Sequence, residues 1–103
     1  MSQVAVIAKI SVLPGTRADA IVAFHQAITN AAGEAGTLQY VLHEDAKQDD
    51  LLWIYELYTD QAALDAHSTS DGMKALGPVL RPFMAGRPEL TYLNPVAGKG
   101  LPA

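Results

Sequence analysis

The sequence predicts an α+β fold, a four-stranded antiparallel sheet with its helices gathered on one face. Three observations predict it. Four stretches rich in Val, Ile, Leu, Thr and Tyr alternate with helix-period stretches in the order β-α-β-β-α-β. Turn-forming residues punctuate the junctions: Pro14-Gly15, Gly33 to Gly36, the polar run Ala46 to Asp50, and Pro88. Two of the strands are apolar on both faces, so each must be covered twice.

Strand one is Val4 to Leu13, rich in Val and Ile and stopped by Pro14-Gly15. Val4, Val6, Ala8, Ile10 and Val12 point one way; Ala5, Ile7, Lys9, Ser11 and Leu13 point the other, and both sets are mainly apolar. Thr16 stands as an N-cap with Asp19 three residues on, a capping-box-like start. Ala20, Ile21, Phe24, Ala27, Ile28 and Ala31 follow at helical spacing and define a core-facing stripe. Gly33 and Gly36 end the helix and permit left-handed or tight exits.

Thr37 to Asp45 is strand two, with Leu38, Tyr40 and Leu42 on one face and Gln39, Val41 and His43 on the other. A hairpin turn leads into strand three, Leu51 to Thr59, which carries Trp53, Tyr55, Glu56 and Tyr58 among aliphatic residues. Thr59 or Asp60 caps a short helix holding Ala62, Ala63 and Leu64 and ending near His67. Ser68 or Ser70 caps a second helical piece with Met73, Leu76, Leu80 and Phe83 as its stripe. Pro78 has no backbone N–H to donate, so a kink or restart is expected there. Pro88 to Val96 returns as strand four.

This order is the split-βαβ, or ferredoxin-like, arrangement. Right-handed crossovers place both helical regions on one sheet face. The other face is left open although strands one and three make it apolar. So large an apolar face exceeds the patch a soluble monomer usually carries. A second copy packed sheet to sheet would cover it, so a homodimer is expected. The 103 residues fit one domain with a modest core. Its expected extent is residues 1–96, with 97–103 as a loose Gly- and Pro-containing tail.

Composition narrows the function. Half the residues are hydrophobic and 17% are charged, the balance of a packed globular protein. A net charge of −4 without any basic run gives no reason to expect nucleic acid or an anionic membrane. There is no cysteine, hence no disulfide, thiolate nucleophile or thiolate metal site. His25, His43 and His67 lack close ligand spacing, and no phosphate loop, Rossmann fingerprint or serine elbow occurs. No metal and no nucleotide cofactor is therefore expected. Neither a signal peptide nor a membrane span is visible, so the expected location is cytoplasmic.

Several segments resemble one known family. Gly36-Thr37-Leu38-Gln39-Tyr40, Tyr55-Glu56-Leu57-Tyr58, Ala63-Leu64-Asp65-Ala66-His67 and Pro88-Glu89-Leu90 occur in the order and spacing of the antibiotic biosynthesis monooxygenase (ABM) domain, over Val4 to Val96. The resemblance implies a dimeric α+β barrel of two ferredoxin-like subunits with the helices outside. On activity it implies less: members oxidise phenols or quinols with molecular oxygen and no metal or flavin, degrade haem, or isomerise a phosphorylated sugar derivative. The haem-degrading branch uses an Asn on strand one, a Trp in the second helical region and a His about ten residues later. Here strand one has no Asn, the Trp position is His67 and the later position falls near Gly77, which argues against that branch. The common Tyr-Glu-Arg-Trp is Tyr55-Glu56-Leu57-Tyr58 here, which removes an Arg partner for Glu56 and adds a hydroxyl at Tyr58.

Cofactor-free oxygenation needs a base and an apolar, water-poor pocket, so that a phenolate can pass an electron to oxygen. With the resemblance in hand, His67 is the expected base, since an imidazole titrates near neutrality. Glu56 is expected to orient it or to bind a substrate hydroxyl, and Tyr40, Trp53, Tyr55 and Tyr58 to contact an aromatic substrate. Each has a structural reading beside this one. In that second reading His67 only terminates a helix, Glu56 sits in a salt bridge, and Trp53 and the tyrosines pack in the core or a dimer interface. His25 and His43 read as surface or satisfied core residues, with lining of the pocket as the lesser alternative. Two other functions stay open, a proton-transfer isomerase using the same His and Glu and a non-catalytic binding dimer. A phosphorylated substrate would need clustered cations, whereas Lys9, Arg17, Lys74, Arg81 and Arg87 look scattered along the chain.

Overall fold

In a computed structural model, which describes residues 2–101, the expected elements appear in the expected order. They are β1 (Val4–Ser11), α1 (Arg17–Ala32), β2 (Thr37–Glu44), β3 (Leu51–Tyr58), α2 (Gln61–Ser68), α3 (Asp71–Leu80) and β4 (Glu89–Leu93). A 3-10 turn, Arg81–Phe83, joins α3 to the final loop. Pro102 and Ala103, the end of the expected tail, lie outside the described residues. The sheet order is β2-β3-β1-β4 and all three pairings are antiparallel, the topology of the ferredoxin-like fold.

Period-two alternation decides what each face of the sheet does. Ala8, Ile10 and Val12, with Leu52 and Ile54 beside them, pack against Ala20, Phe24 and Ala27 of α1 and Leu76 of α3. Further along the same face, Val4, Val6 and Tyr58 meet Leu64 of α2. The opposite face carries Ile7, Lys9, Trp53 and Tyr55, half-buried, and exposed Val41 and Leu93.

Several local expectations are corrected. Regular β1 stops at Ser11; Val12 makes only an isolated bridge, to Met84. β4 is shorter than Pro88 to Val96: Glu89–Leu93 pair with Lys9 to Ala5 of β1, and Pro88, with no N–H to donate, stands just before the strand. Thr16 caps no helix N–H: its hydroxyl donates back to the Leu13 carbonyl at 2.6 Å, closing the Pro14-Gly15 turn in which Gly15 takes φ +78°. Gly33 ends α1 at a right-handed φ of −86°. Asp60 and Ser70 are the caps of α2 and α3. α3 runs through Pro78 to Leu80, so the restart comes later, at the 3-10 turn. Gly36 matters for space, since a Cβ there would stand 2.5 Å from the Ala63 Cβ. Its absence lets α2 lie close over the start of β2 and brings His67 into the site.

Candidate active site

Glu56 and Tyr58 leave β3 on the helix-covered face, while Trp53 and Tyr55 leave it on the other. Tyr40 stands directly across from Glu56 in the β2–β3 ladder, so three polar side chains converge under the helices. His67 comes down from the last turn of α2, whose start is pinned by Asp60 accepting from the Ala63 N–H at 2.9 Å. The rings of Tyr40 and Tyr58 each lie 5.4 Å from the imidazole, tilted by 51° and 48°. The histidine is thus clasped between two phenols.

The acid that orients His67 is Glu34, in the α1–β2 loop. Its Oε1 accepts from His67 Nδ1 at 2.7 Å and from the Thr37 hydroxyl at 2.8 Å. A carboxylate partner places the ring proton on Nδ1 and fixes the imidazole's direction. Nε2 is buried and, among the described residues, has no hydrogen-bond partner. No local signal in the sequence marks Glu34: it acts across 33 residues, through packing of α2 on the α1–β2 loop.

Glu56 is only 7% exposed, and the Tyr58 hydroxyl donates to its Oε1. Burial pushes the Glu56 carboxyl above its ordinary value. The Tyr58 hydrogen bond and the charge of His67 pull it back, while the charge of Glu34 adds to the rise. Both phenols are raised as well. For Tyr40 the cause is burial, then the charges of Glu56 and Glu34; for Tyr58 it is burial, then the hydrogen bond to Glu56. Both tyrosines therefore stay protonated as donors while Glu56 is the group able to change state.

Between sheet and helices lies a cavity of about 200 Å³. Its walls are mostly apolar, including Ala8, Ile10, Phe24, Ile54, Leu76 and Leu80, and among the described residues its only ionisable lining groups are Glu56 and Tyr40. His67 lines a separate niche of about 10 Å³ with Glu34 and Ser70; Tyr40, Met73 and Leu76 belong to both spaces. Glu56 therefore faces the cavity, and His67 stands behind Tyr40.

The other expected site residues lie elsewhere. Trp53 donates from Nε1 to Asp45 Oδ2 at 2.9 Å, and Lys9 Nζ sits 5.9 Å from its ring. That hydrogen bond, followed by those from the Lys47 and Gln48 N–H groups, holds Asp45 below the usual carboxylate range. Tyr55 shares this outer face, opposite Ile7 and Val41. His25 and His43 are exposed, each with Nδ1 near a backbone carbonyl of its own element. Among the described residues, no group of three or more His, Cys, Asp or Glu is placed to hold a metal ion. No described helix is long and apolar enough to cross a membrane.

Residues 3–77 match the family described as antibiotic biosynthesis monooxygenase. Among solved structures, one from Caulobacter crescentus CB15, named as a candidate antibiotic biosynthesis monooxygenase, is 32% identical with a TM-score of 0.86, covering 93% of this chain and 92% of that one. Rv0793 from Mycobacterium tuberculosis is 27% identical with a TM-score of 0.85, covering 96% and 100%. A Chloroflexus aurantiacus J-10-fl protein, also named as a candidate antibiotic biosynthesis monooxygenase, is 27% identical with a TM-score of 0.80, covering 96% and 98%. Among curated proteins, none matches the chain. The family match over most of the sequence and the similarity along nearly the whole fold lead to one conclusion: the chain belongs to the antibiotic biosynthesis monooxygenase family.

Proposed function

We propose that this protein is a monooxygenase that oxidises a small phenolic or quinol compound with molecular oxygen in the cavity beneath the helices. The observation that carries the reading is Glu56: a buried carboxyl with a raised pKa, held by Tyr58, in the wall of an otherwise apolar cavity. Burial makes the carboxylate a stronger base, closer in affinity for protons to a phenol, and the apolar wall keeps water away. The expected roles are exchanged in this reading. Glu56 is the base, and His67 is a positioning residue fixed by Glu34 behind Tyr40.

The chemistry balances without another reactant. Glu56 takes the phenol O–H proton, and the phenolate passes one electron to oxygen. The resulting radical pair joins at a ring carbon, and the proton on Glu56 returns to the outer peroxide oxygen. Glu56 then removes the hydrogen from that carbon as the O–O bond breaks. The products are a quinone carbonyl and hydroxide, which becomes water with the released proton. One oxygen atom enters the product and the other leaves in water. Tyr40, opposite Glu56 and kept protonated, supplies a hydrogen bond to the substrate oxygen.

The active assembly in this proposal is a homodimer closed through the outer sheet face, where Val41, Leu93 and the half-buried Trp53 and Tyr55 leave apolar surface in water. Oxygen uptake with a panel of naphthols and quinols tests the function. Wild type should consume oxygen with at least one of them, and Glu56→Gln should lower the rate by about 10²–10⁴-fold. Undiminished uptake in the Gln variant, or no uptake with any phenol, refutes it.

A further inference from the structure

Of the five cations that look scattered in the sequence, two come together in the fold. Lys9 pairs with Glu89 at 3.9 Å, and Arg17 with Glu44 at 3.3 Å. Arg81 and Arg87 line one recess of about 560 Å³, together with Leu80, Met84, Gly86 and Pro88. Gly77, Leu80 and Pro88 belong both to this recess and to the apolar cavity, so the two spaces adjoin. Among the described residues neither arginine has an acidic partner, in a chain whose net charge is −4.

The wall that presents Arg81 is tied down. The Leu13 N–H donates to the Phe83 carbonyl at 2.8 Å, the Ala85 N–H to Ser11 at 2.9 Å, and the Met84 N–H to Arg81 at 3.2 Å. Gly77 and Gly86 are open toward empty space, since a Cβ at either would meet nothing within 4 Å. Packing therefore does not demand glycine at Gly77, in the interior of α3, where it weakens the helix. Its lack of a side chain keeps the junction between cavity and recess wide.

We infer that Arg81 and Arg87 form an anion-binding mouth, so that the substrate is an aromatic ring bearing an anionic oxygen group, a carboxylate or a phosphate monoester. The ring lies in the apolar cavity with its hydroxyl toward Glu56, and the anionic group rests at the two guanidinium side chains, which suit bidentate contact. This rests on the reading of the cavity as the site for an aromatic substrate.

The test is calorimetric binding of 1-naphthol, 5-hydroxy-1-naphthoate and 5-hydroxy-1-naphthyl phosphate to the whole chain, each also assayed for oxygen uptake; both anions keep a free hydroxyl on the ring opposite the charged group. At low salt at least one anion should bind about tenfold more tightly than 1-naphthol, the scale of two exposed charge contacts. The tighter anion assigns the group. Arg81→Ala with Arg87→Ala should abolish the preference and leave 1-naphthol binding unchanged; the double Lys variant should retain part of it, and added salt should weaken it. The inference is overturned if 1-naphthol matches both anions, if the preference survives the double Ala variant, or if no probe binds. Anion preference without oxygen uptake would refute the proposed oxygenation and leave the anion site standing. Glu56-dependent uptake with no anion preference would do the reverse.

Discussion

Replacing Tyr58 with Phe removes one hydroxyl from a residue that is 0% exposed. The ring keeps its packing on Val4, Val6 and Leu64 and its tilted contact with His67, so the change leaves little empty space. What disappears is the donor to Glu56, itself buried. A net hydrogen bond to a charged group contributes about 1.5–3 kcal/mol, against about 0.5–1.5 kcal/mol for a neutral pair. The stability loss should therefore reach the larger range where Glu56 is ionised and the smaller one where it is protonated. The sign follows from linkage. An acid whose pKa is raised by folding costs stability as pH climbs past its unfolded value, because the unfolded chain releases the proton first. The Tyr58 hydroxyl lowers the Glu56 pKa, so its removal raises that pKa further and widens the gap between variant and wild type with pH. Urea unfolding at about pH 4 and about pH 8, followed by the fluorescence of Trp53, measures both ends. The acidic limb of the pH–rate profile should move to higher pH in the same variant. An equal loss at both pH values would show that the hydroxyl's contribution is independent of Glu56 ionisation and would overturn this coupling.

Four further outcomes follow from the same geometry. Glu56→Gln should gain stability relative to wild type as pH rises above the ordinary carboxylate range and match it in acid, since Gln keeps an acceptor for Tyr58 without a buried charge; denaturation across pH reads this directly. Glu34→Ala leaves His67 without its partner and should cost about 1–3 kcal/mol, whereas Glu34→Gln, which retains an acceptor, should cost less by chemical denaturation. Gly36→Ala drives a methyl to within 2.5 Å of Ala63 and should lower stability by about 1–3 kcal/mol in a thermal melt. Gly77→Ala meets open space in a helix and should add about 0.5–1 kcal/mol while weakening binding of the anionic probes.

Much of this fold is legible in the sequence because periodicity carries it. The two apolar faces of Val4 to Leu13 mark a central strand, and β1 does lie between β3 and β4. The stripe of Ala20, Phe24 and Ala27 marks the face that α1 buries. The site is legible only in part. Period two already separates Glu56 and Tyr58 from Trp53 and Tyr55, and applied strictly it divides cavity from outer face. Glu34 is not legible, since its tie to His67 arises where α2 crosses the α1–β2 loop, and that crossing depends on the missing Cβ of Gly36. Arg81 and Arg87 are likewise brought onto one recess by the 3-10 turn and the loop after it, which have no periodic pattern to read.

In the proposed reaction one oxygen atom of dioxygen enters a phenolic ring in this cavity without a further reductant. Turnover of 1-naphthol under isotopically labelled dioxygen, with mass analysis of the naphthoquinone and the water, tests it most directly. One labelled oxygen is expected in the quinone and the other in water. A quinone free of label, or hydrogen peroxide formed in proportion to product, would contradict it.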